Sequence, residues 1–110
     1  MTCKVVITAR AKEQLDAFVR YLSVDLQNAQ AAANLLNDAE DAAESLSYVA
    51  GSIPLCGDPD LRNRQLRVFR FASHRYLWLF RLQQDTAFVM AMYHELQDYE
   101  NIFKESLDGE

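Results

Sequence analysis

Leu66-Arg67-Val68-Phe69-Arg70-Phe71-Ala72, Tyr76-Leu77-Trp78-Leu79-Phe80-Arg81-Leu82 and Thr86-Ala87-Phe88-Val89-Met90-Ala91-Met92-Tyr93 decide the fold. All three runs are rich in aromatic and aliphatic residues, and no Gly or Pro interrupts them. They read as strands. The connections, Ala72-Ser73-His74-Arg75 and Gln83-Gln84-Asp85, are short and polar, which predicts an antiparallel meander. By alternation, Val68, Arg70 and Ala72 oppose Arg67, Phe69 and Phe71. Tyr76, Trp78, Phe80 and Leu82 oppose Leu77, Leu79 and Arg81. Both faces are largely apolar. The sheet is therefore covered on both sides or offers one apolar face to a partner.

Upstream, the period changes. Residues 4–8 carry Val5, Val6 and Ile7 and predict a strand, after which Thr8 caps a helix. Leu15, Phe18, Val19, Leu22 and Leu26 form one apolar stripe. Asn28 is a second cap, followed by a stripe of Ala32, Leu35, Ala39, Ala42, Leu46 and Val49. Gly51 stops that helix and Pro54 prevents its resumption. Two amphipathic helices with so short a break predict an antiparallel hairpin. Asp38, Glu40, Asp41 and Glu44 lie mostly off the stripe, as a solvated face. Residues 52–65 read as a loop, with Asp58-Pro59 a turn signal. Residues 96–107 predict a final helix anchored by Leu96, Ile102, Phe103 and Leu107. The expectation is one α+β domain over residues 1–110, in the order β-α-α-β-β-β-α, with a helical hairpin packed on a small, mainly antiparallel sheet. The first strand must pair with the later ones, since a lone strand is unstable.

The 110 residues carry a net charge of −5, unevenly spread. Residues 62–81 hold six arginines and no acid, and the segments on either side are acidic. An acidic total argues against bulk nucleic-acid binding, but leaves room for a local anion site. Cys3 and Cys56 are the only cysteines. They have no C-x-x-C spacing or clustered histidines, so neither a disulfide scaffold nor a zinc site is expected. No metal or cofactor is expected. Val5-Val6-Ile7 is too short for a signal-peptide core, and no apolar run reaches membrane-spanning length. The expected location is the cytoplasm.

Arg67, Arg70 and Arg81 interrupt apolar strands. Each must sit at an edge, be paired, or snorkel to solvent, and it either pairs with the surplus acids or contacts an anion or partner through its guanidinium fork. Imidazole is suited to proton transfer near neutral pH, and His94 follows the last strand. His74, in a turn, reads as merely exposed. Tyr99 is a packing residue, a stacking platform or an acid. A metal-free RNA-cleaving site needs a base for the 2′-hydroxyl, cations for the phosphorane charge and an acid for the leaving oxygen. His94 with Arg67, Arg75 or Arg81 supplies base and cation, and Tyr99 is a candidate acid.

Arg67-x-Phe69 followed by Tyr76-Leu77-Trp78-Leu79-Phe80-Arg81-Leu82 resembles the strand pair of the RelE/ParE toxin superfamily. The strand at 86–93 and His94-x-x-x-Asp98-Tyr99 resemble that family's "H-x-x-R/Q-D" ending. The N-terminal strand ending Ile7-Thr8, then Ala11, Leu15, Phe18 and Tyr21, is similar too, as are Ala32, Leu46 and Pro54. The likeness spans nearly the whole chain. It is nearest the ParE-like branch, because a helix is expected after the His-to-Asp motif. Two positions depart from the pattern. Gln65-Leu66 stands where a glycine is frequent, and Gln97 where a basic residue is common.

The resemblance implies the toxin of a bacterial type II toxin–antitoxin system, bound and neutralised by a cognate antitoxin. ParE-like members poison DNA gyrase; RelE-like members cut mRNA on the ribosome. The acidic total and the continuation past Tyr93-His94 to Glu110 favour the gyrase-binding branch. Partner contacts then fall to Arg67, Arg70, Arg81, Tyr76 and Trp78, with His94 and Asp98 as motif residues. In the ribonuclease alternative, His94, Arg75, Arg81 and Tyr99 form the catalytic set. A third reading is a non-toxic relative that retains antitoxin binding.

Overall fold

In the computed structural model, which describes residues 2–108 (side chains as far as Ser106), the chain begins with β1 (Lys4–Ile7). The Thr8 side chain then caps α1 (Ala9–Arg20) through the Ala11 N–H. α1 does not simply end. It widens over Tyr21–Asp25 into i→i+5 bonding, with the Leu26 N–H reaching the Tyr21 carbonyl at 3.0 Å. Asn28 caps α2 (Ala29–Val49) through the Ala31 N–H. The hairpin therefore forms as its two caps predict.

The first stripe is half-buried against the core from Leu15 to Leu22, and the α2 stripe is buried from Ala32 to Leu46. Their distal members are not core. Leu26 is 53% exposed, and Val49 also faces solvent. The small side chains of Ala32, Ala39 and Ala42 let α2 lie close to its neighbours, and fully buried Leu46 fills its C-terminal end.

Residues 52–65 are not all loop. Asp58 Oδ1 accepts from the N–H groups of Asp60 and Leu61, and Pro59 sits in the first turn of a short helix, α3 (Pro59–Asn63). The Asp58-Pro59 pair is thus a helix start rather than a bare turn. Asp at the cap and Pro at the first helical position satisfy or remove N–H groups that would otherwise lack partners.

β2 (Leu66–Arg70), β3 (Tyr76–Gln83) and β4 (Thr86–His94) form the predicted meander. β1 joins it parallel to β4, from Lys4↔Thr86 to Ile7↔Val89. The strand order is β1-β4-β3-β2. Leu77, Trp78, Leu79 and Phe80 are buried in succession. A strand covered on both faces must be central, and β3 is.

One face packs on the helical hairpin through Phe71, Trp78, Phe80, Ala87, Val89 and Met92. The other packs Leu66, Leu77, Leu79, Ala91 and Tyr93 beneath α3 and the final helix, α4 (Tyr99–Asp108). Of the two options for the apolar sheet, coverage on both sides is the one realised. α4 starts three residues later than the span 96–107 suggests. Phe103 anchors it at 3% exposure, whereas Leu96 precedes it and is 86% exposed. Ile102 lies at the surface, and the Leu107 side chain falls outside the described residues.

Strict alternation fails once. Leu79 pairs with Ala91 and Phe80 with Val89, so Met90 is an extra residue in β4. Val89 faces the hairpin, Met90 and Ala91 both face α4, and Met92 faces the hairpin again.

Candidate functional site: a cleft at the end of the sheet

The bulge at Met90 decides where His94 points. Counting by twos from Val89 sends His94 to the α4 face. The extra residue reverses that parity and turns it to the hairpin face beside its cross-strand partner Tyr76. The two rings meet edge to face, with centroids 5.2 Å apart. Phe18 of α1 contacts Tyr76 in the same manner at 5.1 Å. These rings floor a cleft of about 770 Å³ between the widened end of α1, the start of α2 and the end of the sheet. Its apolar wall includes Leu22, Leu26 and Leu35. Its polar rim carries Arg75, His94 and Gln97, faced by Asn34 and Asp38 from α2.

A second cleft of about 480 Å³ adjoins the first through Phe18, Tyr21 and Gln97. It lies between α1 and α4, with Met92 and Tyr93 between them. Tyr21, on the rim of both clefts, is 50% exposed.

The electrostatics are specific at His94. Its Nδ1 accepts a hydrogen bond from the Leu96 N–H at 3.1 Å. An accepting Nδ1 carries a lone pair, so the neutral ring bears its proton on Nε2. His94 thus offers an N–H donor, not a base, at its other nitrogen. Gln97 completes the turn. Its Oε1 accepts from the His94 N–H at 2.8 Å, and its N–H donates to the His94 carbonyl at 3.0 Å. Tyr76 has its phenol pushed up by burial, opposed by the Arg75 charge, and so stays protonated.

Of the residues singled out from sequence, the cleft brings together His94, Arg75 and Tyr76. It does not gather the rest. Trp78 is 2% exposed, on the same sheet face but inside the core, and contacts Phe71 at 4.9 Å. Arg67, half-buried on β2, hydrogen-bonds the Ile53 carbonyl, and its Nε finds no partner. Arg81 Nε donates to the Arg64 carbonyl at 3.3 Å, at the opposite end of β3 from Tyr76. Arg70 is exposed.

Tyr99 begins α4 on the far face, 6.3 Å from Tyr93. Its phenol is raised by burial and then by Glu100. His94 and Tyr99 therefore lie on opposite sides of the sheet. Asp98 stands just before α4 and accepts from the Asn101 side-chain amide at 2.6 Å. Among the described residues no arginine ion-pairs with a carboxylate; the ion pairs join Lys104 to Asp58 and Asp60. Nor do those residues hold a cluster of His, Cys, Asp or Glu able to bind a metal ion.

A solved structure described as the chromosomal ParDE TA system from P. aeruginosa contains a chain of the same architecture. The match has a TM-score of 0.68 at 17% identity, over 84% of this chain and 96% of that one. The fold is ParE-like. No protein-family profile and no curated protein matches the sequence. The likeness thus lies in how the elements are arranged. Within the ParE-like frame, Gln14 escapes a reading by motif, and the motif position of Gln97 does not show that its side chain caps the His94 N–H. Glutamine on a helix or in a turn carries no chemical signature until the main-chain N–H it caps is known. No helix among the described residues is long and apolar enough to cross a membrane.

Proposed function

We propose that this chain is the toxin component of a bacterial type II toxin–antitoxin system, held inactive by an antitoxin and acting in the cytoplasm by binding DNA gyrase. The observation that carries the toxin–antitoxin reading is the structural match to a chain of a ParDE system over nearly all of that chain's length. The apolar cleft with its Arg75 and His94 rim supports it, because such a groove suits a partner segment with apolar and acidic side chains. Arg75, Tyr76 and His94 are the proposed contacts there. Arg70 and Arg81 lie outside the cleft, at opposite ends of the β2–β3 pair, and are proposed as separate partner contacts.

Binding rather than cleavage is favoured by His94. A general base must offer a free lone pair to the 2′-hydroxyl. The only lone pair of this neutral ring is taken by the Leu96 N–H. The mRNA-cleaving alternative rests on Arg75 and His94 sharing one cleft, but Tyr99 and Arg81 are too far away to complete it.

The test is induction of the chain in a bacterial host, with and without the protein encoded in the neighbouring reading frame. The toxin reading expects growth arrest that the neighbour relieves. Purified protein should then block gyrase supercoiling and leave transcripts intact. Cleaved transcripts would overturn the gyrase assignment. Absence of arrest, with a stable complex still formed, would identify a non-toxic relative.

A further inference from the structure

β1 shields only half of the β4 edge. Its pairing ends at Ile7↔Val89, because Thr8 turns the chain into α1 while its Oγ1 donates to the Val89 carbonyl at 2.7 Å. Beyond that point no strand among the described residues flanks β4, since β3 lies on its other side, and α1 covers this stretch instead. The pleat directs the N–H groups of Met92 and His94 outward there. Each is met by a glutamine side chain. Gln14 Oε1 accepts from Met92 at 2.9 Å, and Gln97 Oε1 accepts from His94 at 2.8 Å. Residues two apart on one edge are the donors that a neighbouring strand would use. The two amides stand in for that strand's carbonyls.

We propose that this half-edge of β4 accepts an extended peptide segment of a partner protein by strand addition, with Gln14 and Gln97 released to solvent. The 480 Å³ cleft runs along this edge, with Ala17 and Tyr21 of α1 on one wall and Ile102 of α4 on the other. Main-chain groups buried at an edge must be paired. The glutamine caps meet that need in the free chain, and partner carbonyls take it over without leaving a donor orphaned. Gln97 is exposed and Gln14 half-buried, and both amides regain water as they are released.

The cleft also defines the segment's chemistry. Its walls are apolar, so the segment carries apolar side chains at alternate positions. Neither Arg75 nor His94 lines this cleft, but at Gln97 it adjoins the larger one, whose rim carries the exposed Arg75 guanidinium, with no carboxylate within ion-pair distance among the described residues, and the His94 Nε2–H donor. That end takes an acidic residue, Asp, Glu or a terminal carboxylate. The inference concerns the mode of binding and holds whether or not the partner is an antitoxin.

The test uses a phage-displayed library of random peptides, panned against the folded chain, with the recovered sequences made as synthetic peptides. Acidic-apolar peptides should emerge. They should slow amide exchange at Met92 and His94, read residue by residue by NMR. N-methylation of a peptide nitrogen that faces β4 should weaken binding about tenfold, the worth of one main-chain hydrogen bond. Arg75→Glu should remove the preference for acidic residues. Gln14→Ala with Gln97→Ala, which unmasks the edge, should not weaken binding. Three results would overturn the proposal: recovery of no peptide; peptides that leave both amides unchanged; and concentration-dependent protection of those amides without peptide, which would assign the edge to a second copy of the chain.

Discussion

The Leu96 main-chain N–H donates to Nδ1 of His94 at 3.1 Å, across a turn that Gln97 closes on both sides. This bond, not the exposure of the ring, defines what His94 can do. It places the mobile proton on Nε2 and makes the residue a donor toward the cleft.

His94→Gln should therefore keep partner binding close to wild type, because the Gln amide replaces the Nε2–H donor. His94→Ala should weaken it about tenfold, the value of one lost hydrogen bond. Titration calorimetry with the neighbouring-frame protein measures both. Long-range proton–nitrogen NMR correlations should show the Nε2–H tautomer directly. A ribonuclease would instead lose its activity equally in both variants.

The second sheet face is closed by an ion pair that links two helices. Lys104 Nζ of α4 lies 2.9 Å from Oδ2 of Asp58, which also caps α3. The hydrogen bond from Lys104 holds the Asp58 carboxyl below its ordinary 3.8, and the same bond raises Lys104 above its ordinary 10.5. The lowered acid contributes fully above 3.8, and its contribution is lost as pH falls through the folded value. The raised base contributes fully below 10.5, and its contribution is lost as pH rises through its own folded value. Asp58→Asn preserves a capping side chain but removes the charge. The urea midpoint of wild type should exceed that of the variant across this window, and the two should converge in acid.

Phe103 is the buried anchor of α4. The Arg10 guanidinium lies over its ring at 5.2 Å. Phe103→Ala should destabilise the chain by about 3–5 kcal/mol. Leu96→Ala removes a larger side chain than most surface changes, yet should stay within about 0.5 kcal/mol. Denaturant unfolding followed by circular dichroism measures both.

Trp78 reports on the core. At 2% exposure between Phe71 and the helical hairpin, it should emit at short wavelength and resist iodide quenching. Addition of a partner should leave both properties unchanged. A quenching change on complex formation would mean that the sheet opens to admit the partner.

The elements themselves are legible in the chain. The meander, the two capped helices and the stripe from Ala32 to Leu46 follow from period, β-propensity and capping, all local properties. α3 escapes because five residues are too few to show a helical period, although Asp58 and Pro59 mark its start. The last helix is misplaced by three residues because Leu96 looks like an anchor, and hydrophobicity alone cannot say whether a leucine has anything to pack against. The arginine block looks like a surface that pairs with carboxylates. In the fold Arg67 and Arg81 instead serve main-chain carbonyls, because the acids lie on other elements.

What the chain determines by itself is the α+β order, the two-sided apolar sheet and the resemblance that leads to a toxin-like fold. What only the tertiary structure decides is the site. A single extra residue, Met90, reverses the parity of β4 and brings His94 to Tyr76 and Arg75 rather than to Tyr99. A bulge has no local mark in a run of Phe, Val, Met, Ala and Met. It becomes visible only in the register against β3, and the early end of β1 becomes visible only against β4. Both are pairings between residues distant in sequence, and together they make the cleft and its half-open edge.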